Sequence, residues 1–213
     1  MTLPLCILGV GNLDAVRRTQ RERSDATIAI LIAAARELFV RDGYAATSLD
    51  EIAAAAEVTK GAFYHHFAGK QALFREVYER EQHTILEAIV AAYTPQPDAW
   101  SGFRAGVQAS LTISCRPDVQ RITLLDAPGA IGWETMREIE NRYTMRMLER
   151  GLQRVIDDGW IEARPVAPLA SFLFGGMCEI AMAVAHSNHP RKDKATAAAE
   201  LDRIIDALAR PSN

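Results

Sequence analysis

The chain has 213 residues, 49% of them hydrophobic, with 24 basic and 27 acidic side chains and a formal net charge of −3. That length holds one large domain or two small ones around a real core. The slightly acidic balance excludes a generally basic nucleic-acid binder, so any DNA contact has to come from a local patch. The three cysteines, Cys6, Cys115 and Cys178, show neither metal spacing nor a paired framework, which points to reduced thiols in a cytoplasmic protein. No apolar run is expected to span a membrane, which takes roughly 18 residues.

Residues 1–23 read as a flexible basic arm. Their LCILGVG stretch imitates a strand entering a phosphate loop, but Asp14 stands where a third glycine would sit and no alternating strand–helix pattern follows. Arg17, Arg18, Arg21 and Arg23 either follow a nucleic-acid backbone or form a solvated tail. The first amphipathic helix is expected over residues 25–41, where Ile28, Leu31, Ile32, Ala35, Leu38 and Phe39 recur at intervals of three and four. Ser24 or Asp25 would cap it, and Asp42-Gly43 would end it. A second helix starts at Thr47 or Ser48, with Thr47 and Asp50 at capping-box spacing and a buried stripe of Leu49, Ile52, Ala53 and Ala56. Thr59 caps a brief third helix through Phe67, and a long fourth runs from Lys70 to about Tyr93.

Further on, the pattern predicts helices over residues 100–115, 119–125, 133–157, 169–187 and 194–210, with a break at Asp126-Ala127-Pro128-Gly129. The expectation is an all-α chain of about nine helices without a credible strand. A three-helix DNA-binding domain would occupy residues 24–70, and a larger helical domain residues 71–213. Two short helices separated by about four residues, behind a longer one, make a helix-turn-helix. The second short helix must enter the major groove, so its face needs donors, small residues and few acids. Thr59, Lys60, Gly61, Ala62, Tyr64, His65 and His66 supply these. Residues 58–75 contain Lys60, Lys70 and Arg75 and no acid.

Residues 38–77, LFVRDGYAATSLDEIAAAAEVTKGAFYHHFAGKQALFREV, closely resemble the DNA-binding domain of the TetR/AcrR family. The shared positions include Phe39, Gly43, Tyr44, Thr47, Ser48, Ile52, Ala53, Val58, Thr59, Lys60, Gly61, Tyr64, His66, Phe67, Lys70 and Leu73. Two positions depart: Glu57 stands where glycine is common, and Ala62 where threonine or serine is frequent. The resemblance implies that Thr47 donates to a phosphate from a helix N-terminus, with Ser48 beside it. It implies that Lys60, Tyr64 and Lys70 clamp phosphates, and that Thr59, Gly61, Ala62 and His65 face bases or the groove wall. His66 serves either the groove or the packing. Without a hydroxyl at Ala62, base readout there is apolar or comes from neighbours.

The resemblance further implies a homodimer, joined through the last two helices, that binds a palindromic double-stranded DNA operator. A small-molecule effector of unspecified identity would release it. Repression is the first expectation; activation, or an adaptor without DNA binding, are the alternatives. The stretch 124–140, LLDAPGAIGWETMREIE, also resembles segments of such regulators. Candidates to line an effector pocket are Trp100, Phe103, Trp133, Met136, Tyr143, Phe172, Met177 and Cys178, with Trp133, Tyr143 and Met177 favoured as a group. The apolar segment 169–185 forms either half of an intersubunit four-helix bundle or a helix buried in the monomer. His186 and His189 lack a third ligand, so neither a metal nor a cofactor is expected. No catalytic constellation is recognisable, and an enzyme is not expected.

Overall fold

The computed structural model describes the backbone of residues 10–209 and the side chains of residues 21–209. Among the described residues there are eleven α-helical segments and one π turn, and the β pairing is a single bridge between Ile161 and Ala209. Helix α1 spans Val10–Asp42. The stretch expected as a flexible arm is therefore helical from Val10 onward, while residues 1–9, with most of the glycine-loop imitation, lie outside the described residues. Between residues 12 and 42 there is no proline or glycine, and Arg, Gln, Ala and Leu propagate a helix through a Ser24-Asp25 pair that would otherwise start one. Gly43, at φ +86°, ends it, donating its N–H to the Phe39 carbonyl at 2.9 Å.

Helix α2 spans Leu49–Ala55 and is capped by Ser48. The Glu51 N–H donates to Ser48 Oγ at 3.2 Å and the Ser48 N–H donates to the Glu51 carboxylate at 2.7 Å. The capping box is thus Ser48–Glu51 and not Thr47–Asp50, because Thr47 is turned inward: it is 2% exposed, and its hydroxyl donates to the Gly43 carbonyl at 2.8 Å. Helix α3 spans Lys60–His66, with Thr59 Oγ1 accepting the Ala62 N–H at 3.1 Å. Ile52 of α2 and Phe63 of α3 pack with Leu31, Phe39, Leu73 and Phe74 in one buried cluster, which holds the two short helices in fixed register.

The turn between α2 and α3 explains one departure from the family pattern. Glu57 adopts φ +55°, the left-handed conformation that glycine takes without penalty. Glu57→Gly should stabilise the chain by about 0.5–1 kcal/mol, since glycine's extra freedom in the unfolded chain offsets part of the relieved strain. Thermal denaturation checks this: the variant should melt a few degrees higher, and a lower midpoint would contradict the strain.

Helix α4 spans Lys70–Tyr93 and α5 spans Ala99–Ser114. A short helix α6, Pro117–Gln120, runs into a π turn over Arg121–Asp126 and then α7, Ala127–Ala130. The break expected at residues 126–129 is therefore helical. Pro128 sits in the first turn of α7, where a missing N–H costs nothing. Helices α8, Gly132–Arg142, and α9, Thr144–Asp157, divide what reads as one amphipathic helix. Tyr143 leaves helical geometry at φ −115° and ψ −90°. Its hydroxyl donates to Glu79 at 2.7 Å and that of Thr144 donates to Gln82 Oε1 at 3.0 Å, so two successive side chains anchor on α4. Helices α10, Val166–Ala185, and α11, Pro190–Asp206, complete the second domain.

A charged network ties α1 to this domain. The Arg36 guanidinium binds Glu81 of α4 and, at 2.9 Å, Asp118 of α6, which also accepts from Arg116 at 2.7 Å. Burial pushes the Asp118 carboxyl up, but hydrogen bonds from Arg36 and Arg116 outweigh it and hold the group below the usual carboxylate range.

Helix α10 departs from the expectation that no segment approaches membrane-span length and apolarity. An 18-residue window in it has a mean hydropathy of 1.6, and only 22% of that window is buried. One face, with Ala170, Leu173, Met177, Ala181 and Val184, enters the core of the second domain. The other faces outward, with Phe172 at 74% exposure, so this helix is not wholly buried in the monomer.

Candidate nucleic-acid interface and effector cavity

Helix α3 presents the residues expected at DNA. Lys60, Gly61, Tyr64 and His65 are exposed, Ala62 and His66 half-buried, and Phe63 and Phe67 point into the core. The Tyr64 ring stands edge-on to Phe63 at 5.4 Å, which braces it from behind. The Lys60 ammonium pairs with Asp50 of α2 at 2.7 Å in full solvent, and this hydrogen bond raises its pKa above the usual lysine value. Such an exposed pair is weak, so a phosphate can replace Asp50 at little expense.

Two residues expected at phosphates, Thr47 and Lys70, are placed differently, and Ser48 stays exposed at the start of α2. Thr47 is internal, as described. The exposed Ser48 hydroxyl donates to the Glu51 carboxylate at 2.7 Å. The Lys70 ammonium donates to the carbonyls of Tyr44 at 2.7 Å and Thr47 at 2.8 Å and lies 4.4 Å from the Tyr44 ring centre. It closes the α1–α2 turn from below. Arg75 pairs with Glu138 of α8 at 3.5 Å. The acid-free window of residues 58–75 is therefore not one patch: Lys60 faces outward, Lys70 inward and Arg75 toward the second domain.

The second domain contains three adjoining chambers. The inner one, a narrow space of about 30 Å³, is walled by Phe103, Val107, Met147 and Met177. The middle one, about 40 Å³, adds polar groups: Gln82, Thr123, Glu140, Thr144 and Cys178. The outer one, about 320 Å³, is lined by Leu124, Trp133, Met136, Arg137 and Phe174. Met177 borders the first two, and Thr123, Leu124, Glu140, Phe174 and Cys178 border the last two.

Glu140 is the carboxylate at the junction of the middle and outer chambers. It is 6% exposed; Tyr78 donates to its Oε1 at 2.9 Å and Arg137 reaches its Oε2 at 3.2 Å. Burial raises its pKa, and the Tyr78 and Arg137 hydrogen bonds partly offset that. Burial, with a smaller contribution from Glu140, pushes the Cys178 thiol up to about 12. At neutral pH this sulfur is a packed thiol without thiolate reactivity.

Of the expected pocket residues, Phe103 and Met177 line the inner chamber, Cys178 the middle, and Trp133 and Met136 the outer. Three stand elsewhere. Trp100 stacks between Phe103 and Trp160, each at 6.3 Å. Tyr143 is anchored on Glu79, and Phe172 is on the outer face of α10. Trp133, Tyr143 and Met177 consequently do not form one group. The His186 ring bonds the Met182 carbonyl at 2.9 Å, a helix-end contact. The polar lining, Gln82, Thr123, Arg137 and Glu140, was not foreseen. Its one sequence signal is Glu140, four residues after Met136 and next to Ile139, on the apolar stripe of its helix.

The π turn joins cavity and head. Thr123 and Leu124 line the chambers. Asp126, at its end, accepts the Tyr44 N–H at 2.8 Å and pairs with Arg121 at 3.2 Å; Arg121 also donates to the Asp42 carbonyl at 3.3 Å. Both charged residues thus grip the turn between α1 and α2.

A helix-turn-helix head braced on a helical domain with an internal cavity defines a one-component DNA-binding regulator. Residues 31–77 match the family described as bacterial regulatory proteins, tetR family, and residues 100–208 the tetracyclin repressor-like C-terminal domain. The chain is 30% identical over 163 residues to the transposon Tn10 TetC protein of Escherichia coli, covering 76% of this chain and 82% of that one. It is 45% identical over 71 residues, a third of each chain, to the regulator AcrR of Shigella flexneri. A solved TetR-family transcriptional regulator from Pectobacterium atrosepticum superposes with a TM-score of 0.77 at 30% identity, covering 91% of this chain and 99% of that one. This chain belongs to the TetR family and is a transcriptional regulator with an all-α fold.

Proposed function

We propose that the chain acts in the cytoplasm as a homodimeric repressor that binds a palindromic operator and leaves it when a small molecule fills the cavity. The observation that carries this reading is the π turn, whose middle lines the cavity and whose charged residues hold the head. A ligand that moves Thr123 and Leu124 moves Asp126, and with it the α1–α2 turn on which α2 and α3 are mounted. The ligand releases DNA only insofar as it binds the off-DNA arrangement more tightly. The outward apolar faces of α10 and α11, with Phe172 and Ile204 exposed, support pairing about a two-fold axis. Such pairing would set two α3 helices one DNA turn apart, about 34 Å.

In this reading Lys60 and Tyr64 contact phosphates, while Thr59, Gly61, Ala62 and His65 meet the groove. Thr47, Ser48 and Lys70 act by shaping the α1–α2 turn, and His66 by packing. Mobility-shift titration against the DNA upstream of the protein's own gene tests the proposal, and absence of any sequence-selective complex would end it. Lys60→Ala should weaken binding to all sequences alike and reduce the slope of log K on log salt by about one per protomer. An unchanged slope would remove Lys60 from the phosphate set.

A further inference from the structure

The guanidinium carbon of Arg137 lies 5.3 Å from the centre of the Trp133 ring and 5.3 Å from that of Phe174. Its Nη1 meets Glu140 Oε2 at 3.2 Å. Two aromatic faces and a carboxylate around a positive charge form a recognition set for a cation. Here the set is filled by one of the protein's own side chains. We propose that the effector is a hydrophobic organic cation that enters the outer chamber, displaces Arg137 from between Trp133 and Phe174, and takes its place beside Glu140. The proposal rests on the ligand-responsive reading above and adds the chemical class of the ligand.

Three features of the chamber select this class. The Glu140 side chain is 8% exposed, so removing Arg137 strands a buried carboxylate unless the newcomer carries positive charge. The charged residues lining the outer chamber are Arg137, Glu140 and Glu179, one base against two acids. An anionic ligand would meet both acids with a guanidinium already committed to one of them. The remaining wall, including Leu124, Met136 and Met182, suits an apolar body. The Arg137 side chain is 28% exposed at the mouth, so it can turn out to solvent without unfolding α8.

Tetraphenylphosphonium and tetraphenylborate, alike in shape and opposite in charge, test the inference by calorimetry on the full chain. The phosphonium should bind at least about ten-fold more tightly than the borate. Glu140→Gln, which removes the charge, and Phe174→Leu, which removes one aromatic face, should each weaken it by about ten-fold. Arg137→Gln should bind it more tightly, having lost the resident competitor. Circular dichroism identifies any variant that does not fold, and Phe174→Leu carries the test if Glu140→Gln is lost. Borate binding equal to or tighter than phosphonium binding, absence of phosphonium binding, or unchanged affinity in the folded variants overturns the proposal. Operator binding by the unliganded chain is read separately, so its failure would strike the regulator reading and leave the calorimetric result in force.

Discussion

Asp126→Ala should leave a folded, DNA-binding protein whose operator affinity responds at least about ten-fold less to ligand, since coupling energies between sites are commonly about 1–3 kcal/mol. Asp126 receives the Tyr44 N–H at 2.8 Å and pairs with Arg121 at 3.2 Å, while the turn it ends lines the cavity through Thr123 and Leu124. Removing the carboxylate breaks the link to Tyr44 and frees Arg121 from its partner, while the Arg121–Asp42 carbonyl bond and the Arg36 network still hold the head on the second domain. Asp126→Asn keeps an acceptor for the Tyr44 N–H but no charge for Arg121, and should fall between the two. Operator titrations with and without tetraphenylphosphonium measure the difference. A full response in Asp126→Ala would move the coupling route elsewhere, the next candidate being α4, which follows α3 after Phe67-Ala68-Gly69.

Gly43→Ala should destabilise the chain by about 2–3 kcal/mol. Two effects add. Gly43 sits at φ +86°, where a side chain costs about 1–2 kcal/mol. A Cβ there would also lie 1.7 Å from Arg121 Nη2. The guanidinium is the end of a flexible chain and can retreat, but only by giving up the Asp42 carbonyl and its place beside Asp126. For a chain of this size the melting midpoint should fall by about 4–12 °C. Arg121→Ala in the same background should restore part of the loss if the clash contributes, and none of it if backbone strain acts alone. That double-mutant comparison separates the two causes.

How far the sequence could be read depended on the range of the interactions concerned. The head was legible because its determinants are local. Thr59 caps the recognition helix three residues before the N–H it receives, Gly43 ends α1 at the expected turn, and Phe63 and Phe67 face the core at helical spacing. Capping failed by one residue at α2 because Thr47 and Ser48 are chemically equivalent candidates. Only the burial of Thr47 against Gly43 and Leu38 assigns the box to Ser48. The split at Tyr143 could not be read, because its cause is a pair of bonds to Glu79 and Gln82, more than sixty residues away.

The cavity shows the same division. An apolar pocket was expected from the supply of aromatic and sulfur side chains, and five of the eight named residues border one or another of the three chambers. Its polar junction was not foreseen, because Glu140 becomes a site only when Tyr78 from α4 and Arg137 from its own helix converge on it.

By itself the sequence determined the all-α class, the helix-turn-helix, the face of α3 that meets solvent and the family. Each of these follows from side-chain periodicity, capping chemistry or a contiguous motif. Only the tertiary structure decided that Lys70 turns inward, that α10 keeps an exposed apolar face, and that Arg121 and Asp126 bind the cavity wall to the head. These depend on contacts between residues far apart in the chain, whose energies are set by burial and distance, and sequence spacing encodes neither.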